Sequence, residues 1–161
     1  MKALLVVDVQ KDLVDRKLFQ KERFIERIEG TIRKFREMNQ LVVFIQHNNS
    51  FLKYGTDAWK ISEKLVVEKS DPIVQKKHGN AFEKTDLKGI LNEHHVNEVV
   101  ICGLVSHGCV RATSIGAKNE GLDVKLLKNG HSNWAKDAED KIQKVESELE
   151  KKGILVIEEG L

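Results

Sequence analysis

Three side chains in this sequence have the types and the placing for nucleophilic chemistry. Cys109 sits in the run Gly103-Leu-Val-Ser-His-Gly-Cys109-Val110, between an apolar stretch that reads as a strand and a helical pattern stopped by Gly121. Backbone N–H groups and a helix dipole at such a junction favour an anion, so the placing predicts a thiol lowered towards its thiolate. Asp8 directly follows five apolar residues, and Lys76, with Lys77 beside it as an alternative, ends another short apolar run. Together they form a workable set. The thiol attacks a carbonyl, the carboxylate takes and returns the proton, and the ammonium favours the ionised forms. Each residue also has an ordinary reading. Cys109 fits a core cysteine, Asp8 a strand-end cap and Lys76 a solvated lysine. Cys102 lies inside an apolar run and reads as core.

The elements that must position these groups alternate. Apolar runs at 3–8, 41–46, 72–76, 97–102, 122–127 and 154–157 read as strands. Most are continuous rather than alternating, as in strands covered on both faces. Phe24, Ile25, Ile28, Ile32 and Phe35 form a helical stripe. Leu87, Ile90, Leu91 and His94 form a shorter one. A third helix runs from Cys109 to Glu120, and a fourth carries Trp134, Ala138, Ile142, Val145 and Leu149 up to Gly153. Strands alternating with helices predict an α/β fold: a three-layer α-β-α sandwich with a mostly parallel, six-stranded, Rossmann-like sheet. In such sheets the working crevice lies beyond the carboxyl ends of the strands. That edge would gather Asp8 and Gln10, Gln46 and His47, Lys76 and Lys77, and the loop to Cys109. The long connection 47–71 is placed to shape a binding site.

Bulk properties narrow the function. The 161 residues suit a single domain spanning 1–161. Hydrophobic residues make up 40% and charged residues 32%, as in a soluble globular chain. The net charge is +2 with no basic stripe, so no nucleic-acid partner is expected. The opening apolar run is too short to cross a bilayer and lacks the features of a signal peptide. No membrane partner and a cytoplasmic location are expected. Two cysteines suit reduced thiols better than a disulfide framework.

Three segments, in order, carry a resemblance. They are Leu4-Leu-Val-Val-Asp8-Val-Gln10, then Val74-Gln-Lys76-Lys-His-Gly-Asn-Ala-Phe82-Glu-Lys-Thr85-Asp-Leu87, then Val100-Ile-Cys-Gly103-Leu-Val-Ser-His-Gly-Cys109-Val110. Over nearly its whole length the chain resembles the isochorismatase-like cysteine hydrolases, the superfamily of nicotinamidases and N-carbamoylsarcosine amidase. The resemblance implies an Asp–Lys–Cys triad of Asp8, Lys76 and Cys109. Asp8 would be the general base, Lys76 would hold Asp8 and stabilise the thiolate, and Cys109 would form an acyl-enzyme. Lys77 fits the spacing less well than Lys76. The resemblance also implies a cis peptide at Leu104–Val105, with the N–H groups of Val105 and Cys109 as an oxyanion hole.

The resemblance implies cleavage of a C–N bond in a small amide or carbamoyl substrate, without an organic cofactor, by a homodimer or homotetramer. Gln10, Leu13, Gln46, Trp59 and His107 are candidate pocket residues, with His107 alternatively a loop histidine facing solvent. Nicotinamidases of the superfamily hold a divalent metal through an Asp-x-His segment and a further histidine. Here that stretch reads Gln46-His47-Asn48-Asn49, so no metal is expected. The family often has Phe at Leu13 and commonly Asp at Asn129. Two other readings stand beside the amidohydrolase. One is an isochorismatase-type vinyl-ether hydrolase, which uses no nucleophilic cysteine. The other is a thiol redox sensor or a non-catalytic binding protein on the same fold.

Overall fold

The computed structural model describes residues 1–158. The chain runs β1 (Lys2–Val7), α1 (Lys11–Asp15), α2 (Lys21–Glu37), β2 (Leu41–His47), β3 (Ile73–Lys76), α3 (Leu87–Glu93), β4 (Glu98–Leu104), a π-helical turn (Ser106–Val110), α4 (Arg111–Asn119), β5 (Asp123–Ser132), α5 (Ala138–Lys151) and β6 (Leu155–Ile157). Residues 159–161 of the expected single domain lie outside the described residues.

The continuous apolar runs became strands of one parallel sheet in the order β3-β2-β1-β4-β5-β6. Both faces are covered, which explains why the runs do not alternate with polar residues. Leu4, Val6, Val42, Phe44, Val100 and Cys102 pack on the α2 side, against Phe24, Ile28, Ile32 and Phe35. Ala3, Leu5, Val7, Val43, Ile45, Val99 and Ile101 pack on the other side, with residues of α3, α4 and α5 such as Leu91, Ala117 and Leu149. The three-layer sandwich expected from the sequence is therefore present.

The chain builds outward from β1 through β2 to β3, then returns to the other flank of β1 with β4 and continues through β5 to β6. The reversal makes a topological switch point between the carboxyl ends of β1 and β4, where ligands bind in open parallel sheets. Backbones press close there. A side chain at Gly103, whose φ is +122°, would meet the Val7 carbonyl oxygen at 2.0 Å. The β4–β5 register also shifts between Ile101 and Gly103, releasing the end of β4 from regular pairing.

Several boundaries differ from the sequence reading. β5 extends to Ser132 rather than ending near 127. The helix expected from Cys109 is a π-helical turn followed by α4 from Arg111. Trp134 precedes α5 instead of belonging to it, because Asn133 folds the chain locally: its Oδ1 accepts from the Ala135 N–H at 3.0 Å. The short α1 carries no long apolar period and was not anticipated. Gly153 does end α5, with φ +85° and an Ile154 N–H to Leu149 carbonyl bond of 3.0 Å.

The close approach at the switch point is testable. Gly103→Ala should cost at least about 3 kcal/mol, since it combines a backbone clash with a disfavoured φ. Urea denaturation of the variant beside the parent measures this, and a loss below 1 kcal/mol would mean the strands can part freely.

Candidate active site

Asp8 leaves the end of β1 in the left-handed region, φ +53°, which aspartate tolerates better than most side chains. Its N–H donates to the Ile45 carbonyl at 2.9 Å, holding the carboxylate at the switch point. Lys76 is the last residue of β3 and pairs in register with His47 on β2. Its long stem carries the ammonium to 3.0 Å from Asp8 Oδ2, 2.7 Å from His47 Nδ1 and 3.1 Å from Cys109 Sγ. The Lys76 side chain is fully buried and that of Asp8 is only 3% exposed. Three acceptors thus meet the three N–H bonds of an ammonium whose burial would otherwise be costly.

Cys109 is presented by the π-helical turn, whose Val110 N–H reaches back to the Val105 carbonyl at 3.3 Å. The buried Ser106 hydroxyl lies 2.8 Å from Nδ1 of the buried His131, tying the turn to β5. Thr113 on α4 accepts from the Ala81 N–H at 3.0 Å, anchoring the loop after β3 to the helix behind the cysteine. The Leu104–Val105 peptide is cis.

Burial pushes the Asp8 carboxyl above its ordinary value, with Lys76 and a hydrogen bond to Cys109 offsetting part of the rise. Burial, and then the Asp8 charge, push the Cys109 thiol up to about 11 against the pull of Lys76. This reverses the expected lowering of the thiol. Desolvation beside a carboxylate outweighs the favourable position before a helix, so at neutral pH the sulfur keeps its proton. Burial alone drives the core thiol of Cys102 far upward. His47 is lowered by burial and by Lys76, which keeps its imidazole neutral.

The triad opens onto a cavity of about 250 Å³. Asp8, Cys109, His47, Asn49, Leu13, Leu52, Leu104 and Val105 line it, with Arg16, Phe51 and Trp134. Of the five candidate pocket residues only Leu13 is among them. Gln10 is wholly buried, and its amide donates to the His47 and Trp59 carbonyls at 3.0 and 2.9 Å. Gln46 donates to the Trp59 carbonyl at 3.1 Å and accepts from Gln75 at 2.7 Å. The Trp59 indole donates to Gln75 at 3.1 Å. These residues fasten the 47–71 connection to the sheet instead of lining the cavity. His107 is exposed and its charged neighbours are Lys141 of α5 and Asp137 just before that helix, so it takes the solvent-facing alternative.

His47, Arg16, Asn49, Phe51, Leu52 and Trp134 were among the pocket residues missed. His47 had a signal, its place at a strand end. The others come from segments whose path periodicity does not encode. Asn129 lines a different cavity, between α2 and α5.

The residues present do not fit a metal. Ligand atoms of Asp8, His47 and Cys109 lie within 4.8 Å of one another, but the Lys76 ammonium already contacts the same three side chains. A second cation among them would meet strong repulsion.

Fold and site together define a Rossmann-like α/β protein with a buried Asp–Lys–Cys cluster at the switch point of its sheet. The chain belongs to the isochorismatase family, whose domain matches residues 2–146, and is thus an isochorismatase-family hydrolase. It is similar to the uncharacterized isochorismatase family protein YddQ of Bacillus subtilis (strain 168), with 29% identity over 87% of this chain and 82% of that one. It is also similar to streptothricin hydrolase of Streptomyces noursei, at 28% identity over 83% of this chain and 50% of the relative. A crystal structure of an isochorismatase family protein superposes with a TM-score of 0.91 at 26% identity, over 97% of both chains. Among the described residues no helix is long and apolar enough to cross a membrane.

The raised thiol has a direct consequence. Alkylation of Cys109 by iodoacetamide should be slow at pH 7 and rise about tenfold per pH unit towards about 11, following the thiolate fraction. Cys102 should stay unmodified. Peptide mass spectrometry reads both sites, and a flat rate between pH 7 and 9 would show a preformed thiolate.

Proposed function

We propose that the protein is a cysteine-dependent amidohydrolase that cleaves a C–N bond of a small amide or carbamoyl compound. The observation that carries this reading is the contact of one buried ammonium with both Asp8 (3.0 Å) and Cys109 (3.1 Å) at a cavity sized for a small molecule. The relative that acts on streptothricin supports a hydrolase of small molecules, without fixing the substrate here.

The chemistry follows from the resting protonation state. As the substrate carbonyl approaches, Asp8 takes the thiol proton while Sγ bonds to the carbonyl carbon. The π pair moves onto the carbonyl oxygen, which the N–H groups of Val105 and Cys109 receive as an oxyanion hole. When the oxygen pair returns, the C–N bond breaks and Asp8 gives its proton to the departing nitrogen, releasing ammonia or an amine. Water then adds to the thioester, Asp8 takes its proton, and collapse frees the carboxylic acid product and restores the thiol. Lys76 keeps Asp8 anionic against its desolvation and steadies negative charge as it passes between oxygen and sulfur. Because the thiol is raised to about 11, little thiolate stands ready at neutral pH, and Asp8 generates it as the carbonyl is attacked.

The elevated thiol also weighs against a redox sensor, which depends on a readily ionised and accessible sulfur. A vinyl-ether hydrolase would give the sulfur no role. In this reading the protein works in the cytoplasm as a homodimer or homotetramer. Phe51 and Tyr54, 77% and 68% exposed on the 47–71 connection, suit contact with another copy.

Ammonia release across small amides, ureas and carbamoyl compounds tests the assignment. Cys109→Ala should lower turnover more than about 10⁴-fold while circular dichroism stays unchanged. A retained rate would overturn the mechanism. Asp8→Asn should lose about 10²- to 10⁴-fold at pH 7 and recover part of the loss at alkaline pH, where the thiol ionises unaided. In the parent, protonated Asp8 cannot accept the thiol proton, so kcat/KM falls as pH drops through the Asp8 pKa. Since that pKa is raised, the fall should begin above the usual carboxylate value of ~3.9.

A further inference from the structure

We propose that His47 is the specificity-determining residue of the cavity: Lys76 holds it as one tautomer, which offers a fixed Nε2–H to a neutral hydrogen-bond acceptor on the acyl part of the substrate. The substrate half of this inference rests on the amidohydrolase reading; the tautomer does not.

An ammonium has only donors. Its 2.7 Å contact with His47 Nδ1 therefore makes that nitrogen the acceptor, and the neutral ring carries its proton on Nε2. A proton on Nδ1 would set two donors against each other. The other two N–H bonds of Lys76 are committed to Asp8 and Cys109, so the ammonium has little freedom to turn away. The residue is clamped through its main chain as well. Its N–H donates to Gln10 Oε1 at 2.9 Å and its carbonyl accepts from Gln10 Nε2 at 3.0 Å. Among the described residues no group is hydrogen-bonded to Nε2, and the ring lines the same cavity as Cys109.

The rest of the lining shows what that donor can do. Leu13, Phe51, Leu52, Leu104 and Val105 bring no polar side-chain atom, Trp134 has only its indole N–H, and Asn49 Oδ1 is taken by the Phe51 and Leu52 N–H groups at 2.8 and 2.7 Å. The Arg16 guanidinium is held by Asp12 at 3.0 Å and lies over the Trp134 ring at 4.7 Å. His47 thus supplies a fixed, uncharged donor beside the nucleophile. An ether, carbonyl or ring-nitrogen acceptor meets it well. A methylene leaves it unpaired, and a protonated amine opposes it.

Two measurements on the full-length protein test this. Long-range ¹H–¹⁵N spectra of histidine-labelled protein, with the His47 signals assigned by their loss in His47→Gln, should show the neutral Nε2–H pattern at pH 7. An Nδ1–H or doubly protonated ring overturns the inference whether or not any amide is turned over. Hydrolysis is then compared within matched pairs, methoxyacetamide against butanamide and 3-methoxypropanamide against pentanamide. The parent should favour the ether of at least one pair by about tenfold in kcat/KM. His47→Asn, which keeps an acceptor for Lys76 but removes the far donor, should abolish that preference. His47→Gln, which restores a donor at the far position, should recover part of it. No preference in the parent, or an undiminished one in His47→Asn, overturns the substrate half. Failure of every amide to react would instead count against the amidohydrolase reading, with the tautomer still decisive for His47.

Discussion

The arrangement around the Lys76 ammonium constrains the rest of this molecule. A lysine with no solvent exposure is tolerable only when its donors are all met. Here they are met by a carboxylate, an imidazole nitrogen and a sulfur from three different segments. A buried ion pair does little for net stability, because the desolvation of both charges offsets their attraction. Losing one partner is what costs heavily. The cluster therefore fixes geometry more than it stabilises the fold, and it brings together the groups that exchange a proton in the proposed mechanism.

The sheet makes this meeting possible. Asp8 and Cys109 follow neighbouring strands, β1 and β4, on the two sides of the switch point. Lys76 comes from β3, two strands from β1. Only a long side chain can span that distance, with His47 of the intervening strand bridging it. Glycine at position 103 lets the two central backbones approach at the switch. Around them, Gln10, Gln46 and Gln75 act as a polar frame that fastens the 47–71 connection. Ser106 and His131 hold the turn that presents the sulfur. The resulting site is dry enough to push the thiol upward.

Continuous apolar runs, helical stripes and the glycine stop at 153 are local properties, and they were legible in the sequence with few errors. The errors share a cause. Trp134 has a four-residue spacing to Ala138 that imitates a helix, but the Asn133 side chain bonds the local backbone and delays α5. The π-helical turn carries no periodic signature, because it is imposed by the end of β4 and the packing beneath it.

By itself the sequence determined the order of strands and helices, hence the parallel sandwich, and it singled out Asp8, Lys76 and Cys109 through motifs placed at strand ends. Only tertiary structure decided what those groups are like. Periodicity records which face a residue takes along its own element, whereas a pKa or a hydrogen bond depends on segments far away in the chain. So it is the burial of Cys109 beside Asp8, a product of folding, that raises the thiol instead of lowering it. The fold replaced four of the five expected pocket residues by side chains from three loops, and it placed His47 against the ammonium with its other nitrogen left for a ligand.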